Sequence, residues 1–240
     1  MISEFFNFYF YKSLENTNDK IKELSSLENS KSHLALYSGL QKKGRGRKNR
    51  IWLSEKGDLT CSFLIKNQMN PENIGKINLF VVSSLISILK KIGIKKIEFK
   101  WPNDIFVKKK KIAGVLIETN VYKGQINKII IGIGINLVSK KTDQKINCIS
   151  LFDLRSSHDA ISLFFLISES FYNLINSFKK INFKYLSKDL SKVFINKNSL
   201  VTINLGKKII TGRFKEINST GQLLLIDQNR ILKLNYGEII

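Results

Sequence analysis

The run KIIIGIGINL at residues 128–137 restricts the fold more than any other part of the chain. Side chains alternate across a strand, so Ile131, Ile133 and Ile135 fall on one face and Gly132, Gly134 and Asn136 on the other. The isoleucine face needs a core. The other face is bare until Asn136, and each strand glycine gives up packing and chain entropy. We therefore expect a ligand or another backbone to lie flat against it, with a tightly packed helix as the competing explanation. Gly114, in the strand expected nearby, widens the same groove.

Such a strand needs a sheet, and the neighbouring sequence supplies one. Residues 5–11, SHLALYSGL and LTCSFLIK read as strands. From Lys95 the period is two through KKIEFKWPND, IFVKK, KIAGVLIET and KIIIGIGINL. Helical spacing runs through ENTNDKIKEL, with Asn16 or Thr17 as cap before a start near Asp19, and through NIGKINLFVVSSLISILKKIG, which stops at Gly93. A third helix spans DAISLFFLISESFYNLINSF, capped by Asp159, with Leu163, Leu166, Ile167 and Phe171 inward. The expected fold is α+β, a mixed β-sheet flanked by helices. From Ser199, strands alternate with turn signals at Gly206, STG and DQN as in a small β-barrel. A main domain over 1–196 and a small unit over 197–240 follow.

The formal net charge of +21 attracts nucleic acid, anionic lipid or acidic proteins. The lysines, however, are scattered beside heavy use of Ile and Asn, so the charge by itself reads first as a solvated surface rather than as a specific polyanion site. Cys61 and Cys148 have no Cys or His at metal-ligand spacing, which supports neither a metal site nor a disulfide. His33 and His158 read as ordinary residues. The opening MISEFFNFYFYK has no basic leader or cleavage site, and the apolar stretch LFVVSSLISIL is shorter than the roughly 18 residues a membrane span needs. The expectation is a cytoplasmic protein without a membrane segment.

Four stretches carry candidate chemistry. In QKKGRGRKNRIW, residues 41–52, glycines let the backbone approach an anion, and Arg45, Arg47 and Arg50 present forks suited to phosphate. Without a ligand this loop is expected to repel itself and move. It is neither a dinucleotide fingerprint nor a P-loop, and by itself leaves open a nucleotide site, an RNA contact or a solvated loop. In KWPND, Pro102 ends a strand and holds Trp101 extended, presenting Asn103 and Asp104 at the tip; these make either a turn or, with Lys100, a place for a phosphate and its Mg²⁺. In KKKKIAGVLIE, the first lysines form a hairpin tip, whereas Lys111 enters an apolar strand and needs an anion opposite it. The glycine strand is the fourth.

Taken in order, GRGRKNRIW, KWPND, KIAGVLIE and GIGIN resemble the biotin protein ligases, from NTN near residue 17 to GEII at the end. The lipoate ligases are similar in fold but do not share the basic loop. The resemblance implies a class II synthetase-like catalytic domain with a small SH3-like carboxy-terminal barrel. It implies activation of biotin by ATP to biotinyl-5′-AMP, then transfer to a lysine of a biotin carboxyl carrier protein or carrier domain. Around biotin it implies Asn16, Thr17, Asn18, Gln41, Gly44, Arg45, Gly46, Arg47, Lys111, Gly114, Gly132 and Gly134, with Asn16 standing where a serine is usual. Near ATP it implies Arg47, Arg50, Trp52, Lys100, Asn103, Asp104 and Asn136, with Mg²⁺ held mainly by the phosphates. Lys111, Arg47 and Asp104 are the implied catalytic residues. The resemblance begins too early for the amino-terminal DNA-binding domain of some members, so no specific DNA binding is expected, nor membrane binding, and the protein is expected to be a monomer or homodimer. The alternatives are a lipoate-type acyl ligase and a basic nucleic-acid-binding protein.

Overall fold

A computed structural model of the chain describes residues 2–27, 32–138, 147–197, 199–228 and 230–240. The amino-terminal strand β1 (Phe6–Tyr11), preceded by the short helix α1 (Ile2–Phe5), runs parallel to β2 (His33–Ser38). A parallel pair needs a crossover, and helix α2 (Thr17–Leu27) makes it. The Asn16 carboxamide oxygen accepts the Asp19 N–H at 3.1 Å, so Asn16 is the cap.

The remaining strands of the main sheet are antiparallel to their neighbours. They are β5 (Leu59–Met69), β6 (Ile97–Lys100), β7 (Asp104–Val107), β8 (Lys110–Tyr122) and β9 (Gln125–Ile135), in the spatial order β1-β2-β5-β9-β8-β7-β6. All four strands expected after Lys95 are present. The last two form a long hairpin, reaching Tyr122 and Gln125, because the polar stretch between them continues the pairing. The Trp101–Pro102 peptide is cis and lies in a turn; Asp104 opens the next strand rather than standing at a free tip.

Strand β9 is central, with Gly132 between Ser62 and Leu116 and Gly134 between Thr60 and Gly114. Its isoleucine face is buried under α3 (Ile74–Lys91) and α4 (Ala160–Ser177), in a core that includes Phe63, Ile131, Ile133, Leu85, Phe164 and Phe171. Gly93, at φ +90°, ends the turn after α3, and the Asp159 carboxylate caps α4 by accepting the Ser162 N–H at 2.9 Å. Leu163, Ile167 and Phe171 are buried and Leu166 half-buried. By length and mean hydropathy alone, Pro71–Lys91 would pass as a membrane-crossing helix. Its residues Ile77, Leu79, Val81, Val82, Leu85 and Leu89 pack in the core.

On the glycine face, α2 covers only one end. Ile21 packs there with Leu34, Leu36, Leu64 and Ile130, and the first turn of the helix sets Asn18 against Gly132.

Helix α5 (Phe183–Lys192) was not foreseen; it is short and polar, with only Ser187 and Leu190 buried. After it come β10 (Leu200–Asn204), β11 (Ile209–Ile217), β12 (Leu223–Asp227), β13 (Arg230–Leu234) and β14 (Glu238–Ile239). They form an antiparallel sheet in the order β13-β12-β11-β10-β14, and no pairing that closes it into a barrel is present among the described residues. The turn expected at DQN includes Asn229, outside the described residues. Val201, Ile203, Leu223 and Ile239 belong to the same core as the main sheet, and Phe194 stacks on Phe214 at 3.9 Å between ring centroids.

Candidate functional site

The glycine face of β9 and β8, the first turn of α2, the turn after β6 and the basic loop enclose a cavity of about 180 Å³. Its floor is polar and densely connected. The Gln41 carboxamide oxygen accepts from the Thr17 backbone N–H at 2.8 Å and lies 3.0 Å from the Thr17 hydroxyl. Ser62 Oγ lies 2.7 Å from Thr17 Oγ1 and 2.6 Å from Asn18 Oδ1. Each hydroxyl carries one proton, so Ser62 can donate to Asn18 or to Thr17 but not to both, while Thr17 donates to Gln41. The Asn18 amide in turn donates to Glu118 at 2.7 Å. Ser62 and Glu118, which hold the cavity-lining Thr17 and Asn18, were missed by sequence reasoning: strand register alone brings them there, opposite and diagonal to Gly132.

Asn16 is buried, and both ends of its carboxamide are engaged: the oxygen caps α2 and the nitrogen donates to the Lys43 carbonyl at 3.0 Å. The residue standing in place of a serine thus ties the helix start to the loop start.

A ligand or another backbone was expected against the glycines; what lies there in this structure is side chains, Asn18 from the start of α2 and Trp52 from the end of the basic loop. A Cβ on Gly132 would meet Asn18 Oδ1 at 2.4 Å, and one on Gly134 would meet the Trp52 indole at 2.3 Å. A Cβ on Gly114 would meet the same indole at 3.1 Å, beside Lys111 and Asp104. Trp52, expected near ATP, therefore covers the glycines expected beside biotin. Its indole N–H is buried without a partner among the described residues.

Lys111 has its anion within the chain: its ammonium lies 2.8 Å from Asp104 Oδ1 on the adjacent strand. The contact has the distance of an ion pair but not the directionality of a well-formed hydrogen bond. The ammonium also stands 5.3 Å from the Trp52 ring centroid, a cation–π distance. The burial argument for Lys111 is met by Asp104 and by itself requires no ligand.

The basic loop is ordered by acids rather than left to repel itself. Gly44 and Arg45 (β3, Gly44–Arg45) pair with Ile51 and Trp52 (β4, Ile51–Trp52), and Arg47–Asn49 form a short 3₁₀ turn. Arg45 is forked on Asp19 at 3.0 and 2.8 Å, Lys43 pairs with Glu15 at 2.9 Å, and Arg50 pairs with Glu238. The hydrogen bond to Arg45 is the main cause holding the Asp19 carboxyl below its ordinary pKa, and Asp19 in turn raises the Arg45 guanidinium's. Arg47 points inward. It donates to the Gly237 carbonyl at 3.2 Å and reaches Asn103 Oδ1 at 3.5 Å. Burial lowers its pKa, with Asp104 and Glu238 opposing, but a guanidinium stays charged near neutrality. Glu238 and the Gly237 carbonyl belong to the carboxy-terminal sheet and were not foreseen as part of the site.

Asn103 is pinned to β8, its amide donating to the Val115 carbonyl at 2.5 Å and its own carbonyl accepting the Val115 N–H at 3.0 Å. Lys100, Asn103 and Asp104 line the cavity together with Arg45, Gly46, Arg47, Arg50 and Trp52. Two expected residues do not. Gly44 packs behind the loop, where a Cβ would meet the Trp52 carbonyl at 2.3 Å. Asn136 is buried: its N–H still bonds the Ile112 carbonyl of β8 at 2.9 Å, and its side-chain amide donates to the carbonyls of Lys111 at 3.1 Å and Ile149 at 3.3 Å. Among the described residues, no three His, Cys, Asp or Glu side chains are grouped to hold a metal ion. No disulfide joins Cys61 and Cys148, and Cys61 is fully buried with its thiol pKa raised by that burial.

Residues 9–136 match the model of the biotin/lipoate A/B protein ligase family. The chain is 29% identical over 230 residues to the bifunctional ligase/repressor BirA of Escherichia coli (strain K12), a match covering 92% of this chain and 69% of that protein. It is 28% identical over 230 residues to the protein of the same description from Salmonella typhimurium, with the same coverage of 92% and 69%. The structure is similar to that of the biotin protein ligase from Aquifex aeolicus in complex with biotin and ATP, with a TM-score of 0.80, 26% identity and coverage of 98% of this chain and 97% of that one.

Proposed function

This chain belongs to the biotin/lipoate A/B protein ligase family, and on that footing we propose that it is a biotin protein ligase, which activates biotin with ATP and transfers the biotinyl group to a carrier lysine. The observation that carries this reading is the convergence of Arg47, Lys111 and Asp104 on one cavity with the glycine face and the Thr17–Asn18–Gln41 floor. A fused-ring acid fits such a site: glycines give its flat body close approach, and amide and hydroxyl groups meet its ureido ring.

Two anions must meet in the first step, the biotin carboxylate and the α-phosphate of ATP. The carboxylate attacks phosphorus, the bond to pyrophosphate breaks, and a mixed anhydride forms. The nucleophile is already ionised, so the task is to hold two negative groups together and neutralise them. Lys111, at the junction of the glycine face and the Asp104 turn, faces the carboxylate. Arg47 faces the phosphate, and Lys100 and Arg50 add cations to the lining of the same cavity. Mg²⁺ would be carried mainly by the phosphates and would spread their charge; Asn103 Oδ1 and the Asp104 carboxylate are the oxygens this chain would offer it. In the second step a carrier amine attacks the carbonyl carbon, AMP leaves, and the amine sheds a proton. Asp104 is the carboxylate placed to take that proton or to hold the incoming ammonium.

The carboxy-terminal segment 197–240 is proposed as a small SH3-like unit, set off from a catalytic domain over 1–196, that supports the loop through Gly237 and Glu238. The partner is a biotin carboxyl carrier protein or carrier domain of a carboxylase. Isotopic exchange of pyrophosphate into ATP tests the reading: exchange is expected with biotin, exchange with lipoate alone would overturn the substrate, and exchange with neither acid would overturn the ligase.

A further inference from the structure

We propose that Asp19 and Glu118 are positioning residues that latch the basic loop through Arg45 and couple its position to the orientation of Asn18 on the cavity floor. The coupling to biotin rests on the ligase reading above; the latch itself does not.

Of the loop arginines, Arg45 and Arg47 are turned to different tasks. Arg47 is aimed into the cavity, whereas both terminal nitrogens of Arg45 are taken up by Asp19, at 3.0 and 2.8 Å, and one also approaches Glu118 Oε1 at 3.4 Å. The bidentate fork matches guanidinium to carboxylate geometry, which makes it directional as well as charged. Glu118 divides its oxygens: Oε1 faces Arg45 and Lys22, the latter at 3.1 Å, and Oε2 accepts from the Asn18 amide at 2.7 Å. The other end of that amide, Asn18 Oδ1, lies 2.6 Å from Ser62 Oγ and is the atom that overlies Gly132. The Asn18 carboxamide therefore has one orientation only while Glu118 is charged and in place. A single carboxylate thus joins the loop to the floor.

Exposed ion pairs add little to global stability, because water screens them and long side chains lose freedom. Side-chain exposures of 31% for Arg45, 52% for Asp19 and 27% for Glu118 place this network in that range. A loop with few buried apolar contacts needs little to hold it, however, so the same modest energy shifts the loop's open population rather than the fold's.

Trypsin reports that population, since the loop offers Lys42, Lys43, Arg45, Arg47, Lys48 and Arg50 as cleavage points. In the full chain without ligand, Asp19→Asn and Glu118→Gln are expected to speed cleavage within residues 42–50 roughly two- to fivefold with an unchanged melting temperature. The Arg45→Gln and Asp19→Asn effects should be non-additive in the double variant, since each breaks the same fork. Wild-type cleavage rates in both acid variants, or additive effects, would overturn the latch. In biotin-dependent pyrophosphate exchange, Glu118→Gln should raise KM for biotin with little change in kcat, and Asp19→Asn should do so less, because only Glu118 touches Asn18. Equal KM values in wild type and Glu118→Gln would overturn the coupling to Asn18. A wild-type protein that shows no biotin-dependent exchange would overturn the ligase reading, while the trypsin comparison would still decide the latch.

Discussion

Lys111 and Asp104, on neighbouring strands of the main sheet, form an ion pair of 2.8 Å at the point where the glycine face meets the basic loop. A lysine on a half-buried strand needs a counter-charge, and the chain supplies it. The pair is therefore ready before any ligand arrives, and an incoming carboxylate has to share the ammonium with Asp104.

Removing that ammonium should cost the ligand its cation. Lys111→Ala is expected to weaken biotin binding by about ten- to a hundredfold, the scale of a lost charge-assisted hydrogen bond, and to slow pyrophosphate exchange in step. Lys109→Ala, at the exposed hairpin tip, serves as the control and should bind normally. Calorimetric titration of biotin into both variants checks this; equal affinities would leave Lys111 as no more than the partner of Asp104.

Arg47 connects the loop to Asn103 and to the Gly237 carbonyl. In Arg47→Gly, pyrophosphate exchange should remain measurable, while the activated anhydride escapes and labels lysines on bystander proteins. Detection of biotin on an added non-carrier protein is the measurement. Labelling confined to the carrier at the wild-type rate would remove the retaining role.

Trp52 lies over Gly134, so a ligand flat against that glycine has to share or displace the indole. Biotin should therefore change the intrinsic fluorescence. The other tryptophan, Trp101, is buried and donates its indole N–H to the Gly221 carbonyl at 3.0 Å. Trp101 lines the same cavity but is held by that bond, so Trp52→Phe should remove most of the change. A full-size signal in the variant would assign it to Trp101 and remove Trp52 from the ligand's path.

His33 accepts the Lys66 N–H on its Nδ1 at 3.0 Å, which holds the ring neutral. Burial, and then the Lys66 ammonium, lower its pKa below the ordinary 6.5. The unfolded chain thus binds the proton more readily. The contribution to stability is complete above pH 6.5 and is lost as the pH falls below that value through the folded pKa. Melting temperature should decline with acidification from that point, and less steeply in His33→Asn, which has no titrating ring. Parallel slopes for the two proteins would assign the decline to other groups.

Much of the scaffold was legible in the residues. Alternation about Gly132 and Gly134 specified a strand with one apolar face and one bare face, since side-chain direction in a strand follows from covalent geometry. The cap at Asp159 was readable, and that of α2 was narrowed to Asn16 or Thr17, because a cap is a contact between residues close in sequence; the structure decides for Asn16. The ordered motifs pointed to the family. Helix α5 was missed although Phe183, Leu186 and Leu190 recur at helical spacing, because ten mostly polar residues give that stripe only three members.

The tertiary structure decided which charges meet. Arg47 reaches Gly237 across 190 positions, and Arg45 reaches Glu118 across 73. Nothing in local spacing encodes either pairing. The loop read as self-repelling because its own segment carries only cations; folding brings Asp19, Glu118 and Glu238 to it and reverses that conclusion. Asn136 continues the glycine-face alternation on paper, yet its side chain is buried on the carbonyls of Lys111 and Ile149. Local sequence determined the faces of each element because they depend on bond geometry alone. The partners across those faces depend on where the chain returns in three dimensions, and only the packed fold determines that.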